Sequence, residues 1–285
     1  MNKINQTVMM SGVDYFSVEE LNPYSHKSDQ PNLEQAKEEF ESIKAALEAS
    51  GVTVIKVDPP AGCQDGIYTA NWALTRGKKA IMSSLPNMRR GEEPAARAEL
   101  EKLGFDVITP PFRFSGQGDG LPCGNLLFAG QTYRSDPRMH EFVAKELGFE
   151  VISLETIPER DEAGNPVINA VTGWPDSFFY DIDLAISILT PKLIAWCPEA
   201  FTPESQAKMH ALTQVEKIEV SLEEAMKGFA CNLVSTGETV IMSNHAPELK
   251  AAIEAKGLKT ITPEITQLAK GGGYIRCTTL TLDNA

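Results

Sequence analysis

A cysteine at position 277 stands four residues beyond three consecutive glycines, in the segment 271–280 that reads GGGYIRCTTL. A thiolate attacks electron-poor carbon and can carry a covalent intermediate. A free cysteine is also, very commonly, a small buried hydrophobe. The glycine run favours neither reading outright, but it removes side chains where backbone must pass close to another group such as a substrate. Read as a strand, the segment puts Cys277, Thr279 and Thr281 on one face and Thr278, Leu280 and Leu282 on the other. Further polar residues sit in otherwise apolar surroundings: Asp65 and Asn71, then Asp119, then Asp181 and Asp183, then Asn232.

These residues recur because the elements that carry them recur. Five short apolar strands are predicted, at 7–11, 79–83, 125–130, 192–197 and 239–243. Each precedes a stretch with apolar residues at helical spacing, near 33–49, 93–103, 137–147, 203–212 and 247–255. Four of these helices are followed by a glycine, Gly51, Gly104, Gly148 and Gly257, as expected just past a helix end. Second strands follow at 52–57, 105–108, 149–154, 217–220 and 258–261, and then a third element mixing apolar and polar residues. The third elements are 65–74, 114–121, 178–189, 229–234 and 273–282, so each one brings a polar residue of the set above. Internal repetition of this kind points to a closed array. The expected fold is an α/β propeller of five modules with pseudo-fivefold symmetry, strands inward, helices outward and third elements converging on the axis. An open α/β sheet is the alternative. One domain over 1–285 is expected, with 158–169 as a hairpin or surface loop.

Composition narrows the function classes. The 285 residues are 42% hydrophobic, enough for a substantial core, and the formal net charge is −13. Without a basic tract, such a chain suits neither nucleic acid nor an anionic membrane surface. No apolar stretch approaches the ~20 residues of a membrane span, and the N-terminus lacks the apolar core of a signal peptide. The five cysteines include no C-x-x-C pair and the four histidines are scattered, which argues for a reducing cytoplasm and against a structural metal site. No phosphate-cradling glycine motif is present. A cytoplasmic protein without metal or cofactor is expected.

Several motifs, in order along nearly the whole chain, resemble the guanidino-group-modifying enzymes of the pentein superfamily. These are the dimethylargininases, the arginine deiminases and the arginine dihydrolases of amidinotransferase type. The carrying segments are DYFSV at 14–18 with Asn22-Pro23, DGIYTAN at 65–71, RRGEE at 89–93, FSGQGD at 114–119, GQTYRSD at 130–136, FACN at 229–232 and KGGGYIRC at 270–277. The resemblance implies a pentein propeller that hydrolyses, or transfers, the guanidino or ureido group of a small molecule close to arginine. It implies no cofactor and leaves room for a homodimer. Cys277, Asp181 and Asp119 are the implied catalytic set. Asp65 and Asp119 match carboxylates that pair with the planar, cationic guanidinium. Asn22 and Asn71 match positions that orient substrate or water. Arg134, and less directly Arg90, suit an α-carboxylate, and Asp183 and Ser115 complete the surroundings of the substrate.

Two positions depart from the family pattern. Ser115 stands where the family's F-E-G-x-G-D motif has glutamate, and Asp181 stands where its F-Y-H-L-D motif has the catalytic histidine. Either Asp181 takes over as acid and base, which burial and neighbouring carboxylates make feasible, or the chain binds a guanidino ligand without turning it over. Individual residues also admit plainer roles. Asn71 and Asn232 can be turn formers, Asp119 a cap, Arg134 a surface residue and Arg89 a member of a solvated ion-pair cluster. Cys123 and Cys231 are expected in the core.

Overall fold

The computed structural model describes residues 3–284; positions 1, 2 and 285, at the ends of the expected domain, lie outside the described residues. Five three-stranded sheets make up the molecule, each with the same internal order. In every sheet the middle strand pairs parallel to an outer strand and antiparallel to an inner one. The middle strands are Thr7–Ser11, Lys79–Met82, Leu126–Gln131, Leu193–Trp196 and Thr239–Ile241, and their outer partners are Thr53–Val57, Asp106–Ile108, Glu150–Glu155, Glu216–Glu219 and Lys259–Ile261. The crossover between middle and outer strand carries a helix: Leu33–Ala49, Glu92–Lys102, Arg138–Leu147, Pro203–Ala211 or Pro247–Ala255. Outer strands begin with solvent-exposed residues, whereas the inner strands are almost wholly buried. This is the five-bladed propeller expected.

The inner strands are Ala73–Arg76, Gly120–Cys123, Ile186–Thr190, Val234–Ser235 and Leu280–Thr281. They are the tails of the third elements, and each joins the blade that follows rather than the blade that precedes it. The reason is local: Gly77-Lys78 and Gly124-Asn125 leave two residues between strands, a length that permits an antiparallel hairpin and nothing else. Gly77 and Gly124 both have positive φ, as such turns demand. The last inner strand has no following blade. It returns to the first, pairing Leu280 with Met9 and Thr281 with Val8, and so closes the ring.

Before each inner strand the chain does not run as a strand. It makes a tight turn or a single 3₁₀ turn, at Thr69–Trp72, Gly116–Gly118 and Ile182–Leu184 in the first three cases. Cys277 lies in a run of turns over 275–278 and not on the alternating strand the sequence suggests. Alternation carried no facial information there because residues 277–281 are all buried. A short helix at Leu222–Gly228, capped by the Ser221 hydroxyl, was not anticipated. The segment 158–169 does fold back on itself, with bridges between Arg160 and Pro166 and between Ile168 and Pro175. Among the described residues no helix is long and apolar enough to cross a membrane.

Apolar packing seals the closure. Leu280 is fully buried in a cluster with Met9, Trp72, Leu100 and Phe105, and so joins the first blade to the second. Leu280→Ala should therefore destabilise the protein by about 2–5 kcal/mol, as buried leucine truncations do. Urea denaturation of both forms measures it; a loss under half of that range would mean the closure contributes little.

Candidate active site

The turn preceding each inner strand faces the same end of the axis, and together these turns gather the polar residues into one buried cluster. Cys277 is its centre. The thiol lies 3.4 Å from Oδ2 of Asp183 and 3.2 Å from Nδ2 of Asn232. Asn232 holds the cysteine from several sides: its Oδ1 accepts from the backbone N–H of Cys277 and of Tyr274, and its Nδ2 also reaches the Asp183 carbonyl. The glycine run is explained by packing. A Cβ at Gly273 would collide with the Tyr68 ring and with Cβ of Cys277, and Gly272 adopts φ +89° against Asn22. The close neighbours of that run are thus Tyr68 and Asn22, the latter donating to the Gly271 carbonyl.

Asp181 sits across the cluster in different company. Its Oδ2 accepts from Nδ2 of Asn71 at 2.8 Å and lies 3.6 Å from the guanidinium of Arg134. Asn71 also donates to the Ser115 hydroxyl and accepts from Arg89, so it links three sequence segments. Gly118 must lack a side chain, because a Cβ there would stand 2.6 Å from Oδ2 of Asp181. Asp119 is saturated by the fold: Oδ2 accepts from Thr132 and Ser135, and Oδ1 accepts from the backbone N–H of Ile182. The last of these bonds fixes the turn that bears Asp181 and Asp183. Asp181 precedes a single 3₁₀ turn, Ile182–Leu184, and Asp183 lies within it, so they are not neighbours on one strand face and point to different partners. Each retains one carboxylate oxygen, Oδ1, with no hydrogen-bond donor among the described residues although both residues are fully buried.

The arginines divide into three environments. Arg89 is not part of a solvated cluster: it is buried, forked onto both oxygens of Glu92, and donates to the carbonyls of Asp65 and Tyr68. Glu92 is equally buried and takes the Trp72 indole N–H. Arg134 is also buried, stacked 4.1 Å over the Tyr180 ring and bonded to the Leu21 carbonyl. Arg90 lies outside the cluster, exposed beside a depression of about 100 Å³ that it lines with Leu21, Arg113 and Trp174. Leu21 connects that depression to Arg134 and hence to Asp181. Cys123 and Cys231 are buried and hold no place in the cluster.

Burial dominates the electrostatics. It pushes the carboxyl of Asp65 up to about 6 against the pull of Arg89, and that of Asp119 up to about 7 with the Asp181 charge adding to it. Asp183 is driven well above the carboxylate range by burial and by Asp181, with Arg276 opposing. Asp181 is raised by burial, though Arg134 pulls it down. The Cys277 thiol is likewise raised by burial and by Asp183, against the Asn232 hydrogen bond. An empty site of this kind prefers protonated acids and a neutral thiol. A cation placed among these groups reverses that preference.

Asn232 is the residue that sequence reasoning undervalued. Its position in the fourth third element, homologous in the repeat to Asn71, Asp119 and Asp181, was the signal available. Arg89 and Glu92 were missed as a buried pair because RRGEE reads as a charged surface.

The chain matches the family model for N,N dimethylarginine dimethylhydrolase, eukaryotic, over residues 16–283. It is 28% identical over 261 residues to the N(G),N(G)-dimethylarginine dimethylaminohydrolase of Mycobacterium tuberculosis, covering 91% of this chain and 80% of that protein. It is 30% identical over 283 residues to the bifunctional arginine dihydrolase/ornithine cyclodeaminase ArgZ of Synechocystis, covering 96% of this chain but 37% of the bifunctional protein. The N-terminal domain of ArgZ superposes with a TM-score of 0.87 at 27% identity over 98% of both chains, in crystals of a variant covalently bound to a reaction intermediate. The dimethylargininase of Pseudomonas aeruginosa, 18% identical, shares the fold with a TM-score of 0.76 over 97% of this chain and 99% of that one. The chain therefore belongs to the N,N dimethylarginine dimethylhydrolase family, on the pentein propeller fold.

Proposed function

We propose that this chain hydrolyses the guanidino group of arginine or a near relative through a covalent intermediate on Cys277. One observation carries the reading: a thiol held by Asn232 and Asp183 sits in a buried polar cluster where Asp181 and Asp183 each keep a carboxylate oxygen unpaired among the described residues. Unpaired buried acceptors are costly, and the N–H edges of a planar cation satisfy them two at a time. Family membership and the ArgZ crystals support the same chemistry.

In this reading a bound guanidinium lowers the pKa values that burial has raised. Cys277 Sγ attacks the central carbon and loses its proton to Asp183, the only carboxylate in contact with it among the described residues. Collapse breaks a C–N bond, and the same proton leaves on the departing amine. Water then adds to the amidino-thioether carbon, passes a proton through Asp183 back to sulfur, and the C–S bond breaks to give a ureido product. Asp183 thus does the proton work, although Asp181 occupies the position of the family's histidine. Asp181 is anchored by Asn71 and Arg134, which suits it to binding the cation. Asp119 positions the turn that carries both acids. Asp65 and Arg134 line the approach, with Arg134 facing the substrate's acidic end and Arg90 at the rim.

Incubation with arginine, asymmetric dimethylarginine, citrulline and agmatine, followed by amino-acid analysis and intact-protein mass spectrometry, tests the proposal. Turnover of at least one compound and a transient adduct on Cys277 are expected, with both lost in Cys277→Ser. Asp183→Asn should cut kcat by about 100-fold or more, the usual scale for a lost general acid–base; Asp181→Asn should act chiefly on KM. Absence of turnover and of any adduct, with Cys277 reduced, would leave a protein that only binds its ligand.

The raised carboxyls also make stability depend on pH. A folded-state value above the unfolded one contributes stability that is complete below the unfolded value and is lost as pH rises through the folded value. For Asp119 that window runs from 3.8 to about 7, and for Asp65 from 3.8 to about 6. The melting temperature of the ligand-free protein should fall between about pH 4 and about pH 7, and less steeply in Asp119→Asn. A profile that is flat in the parent protein would contradict the assigned protonation.

A further inference from the structure

The inner strands run from the catalytic cluster to the other end of the axis, and there they enclose a cavity of about 500 Å³. Its size matches ordinary small-molecule sites. Among the described residues the lining includes apolar Leu121, Ile188 and Leu233, and Lys3, Arg76 and Arg276 against a single acid, Asp283. Asp283 is already engaged, accepting from the backbone N–H of Gln6 and of Thr7. Arg76 is held by Asn125 and by the Leu147 carbonyl. The net character of the polar lining is cationic. Ser187, 3% exposed, lines the cavity with a hydroxyl that has no hydrogen-bond partner among the described residues. Native proteins seldom leave such a group unsatisfied without a water or ligand to meet it.

Arg276 belongs to both ends. It lines this cavity and precedes Cys277 directly, and it is locked in place by Gln117 at 2.7 Å and the Thr279 carbonyl at 3.0 Å. We propose that the cavity is a second ligand site, for a small organic carboxylate with a short apolar body, and that its occupancy slows the Cys277 thiol through Arg276. The carboxylate end meets Lys3, Arg276 and the Ser187 hydroxyl, and the hydrocarbon lies on Leu121, Ile188 and Leu233. The effect on the thiol follows from charge. Arg276, one residue before Cys277, favours the ionised thiol, and an anion beside Arg276 offsets that pull and raises the thiol pKa. The coupling rests on Cys277 as the nucleophile, but thiol reactivity can be read whether or not the chain turns over a substrate.

Pentanoate is the probe, with chloride at equal ionic strength as control. The readout is the rate at which iodoacetamide labels Cys277, followed by peptide mass spectrometry in the full chain. Pentanoate should slow labelling by about threefold or more, as a half-unit rise in thiol pKa would, and chloride should not. Lys3→Glu, at the mouth, and Ser187→Val, within, should each shift the effect to several-fold higher pentanoate. Arg90→Ala, at the opposite end, should leave it unchanged. An effect abolished by Arg90→Ala would place the anion at the substrate mouth and overturn the proposal. So would labelling that ignores pentanoate, or a pentanoate effect unaltered by Lys3→Glu. Failure of the guanidino assay would leave this test intact.

Discussion

The antiparallel pairing of Leu280 with Met9 is the constraint on which the rest depends. Four blades are joined to their neighbours by covalent hairpins; the fifth junction is made by hydrogen bonds and apolar contact alone. Polar bonds reinforce it from inside. The Thr69 hydroxyl lies 3.0 Å from both the Met9 and Thr278 carbonyls, either of which can take its proton, and the Thr281 carbonyl accepts from Thr75 and Gln117. Because Cys277 lies a few residues before the closing strand, the geometry of the thiol is set by whether the ring shuts in register.

Around that axis the fold concentrates charge where water is scarce. Asp65, Asp119, Asp181, Asp183 and Glu92 are buried together with Arg89, Arg134 and Arg276. Such groups contribute little to stability unless paired and hydrogen-bonded, and the pairing here is uneven. Arg89 with Glu92 is a closed, bidentate unit that braces Asn71. Asp119 is closed by three donors. Among the described residues Asp181 and Asp183 alone are left half-satisfied, and Asp183 is the carboxylate that touches the thiol. The uneven pairing separates the scaffold from the reactive groups without any appeal to motif.

Much of this was legible in the sequence. Helices 33–49 and 247–255 were found to the residue because strand, amphipathic stretch and terminal glycine agree at every level. The five polar positions were legible because they fall at one phase of the repeat. What was not legible has physical causes. The third elements were assigned to the wrong blade, since apolar content does not reveal which partner an inner strand chooses; the two-residue turns do. Cys277 was placed on a strand because alternation and full burial cannot be told apart in GGGYIRCTTL. Asp181 was given the catalytic place and Asp183 a place around the substrate, whereas a 3₁₀ turn aims Asp183 at sulfur and Asp181 at Asn71 and Arg134. Burial of Arg89 was invisible because a charged tetrad has the same composition on a surface or against Trp72.

The closing strand also fixes how the protein comes into being. Asp283 receives the backbone of Thr7 across 276 residues of chain, so the contacts that shut the ring are among the most distant in sequence that the molecule makes. Long-range contacts of this kind are entropically costly and form late. Four blades can assemble from their own hairpins while the thiol still lacks its neighbours. Maturation of the reactive centre is therefore coupled to the final topological step, and an incompletely folded chain carries a cysteine but no catalyst.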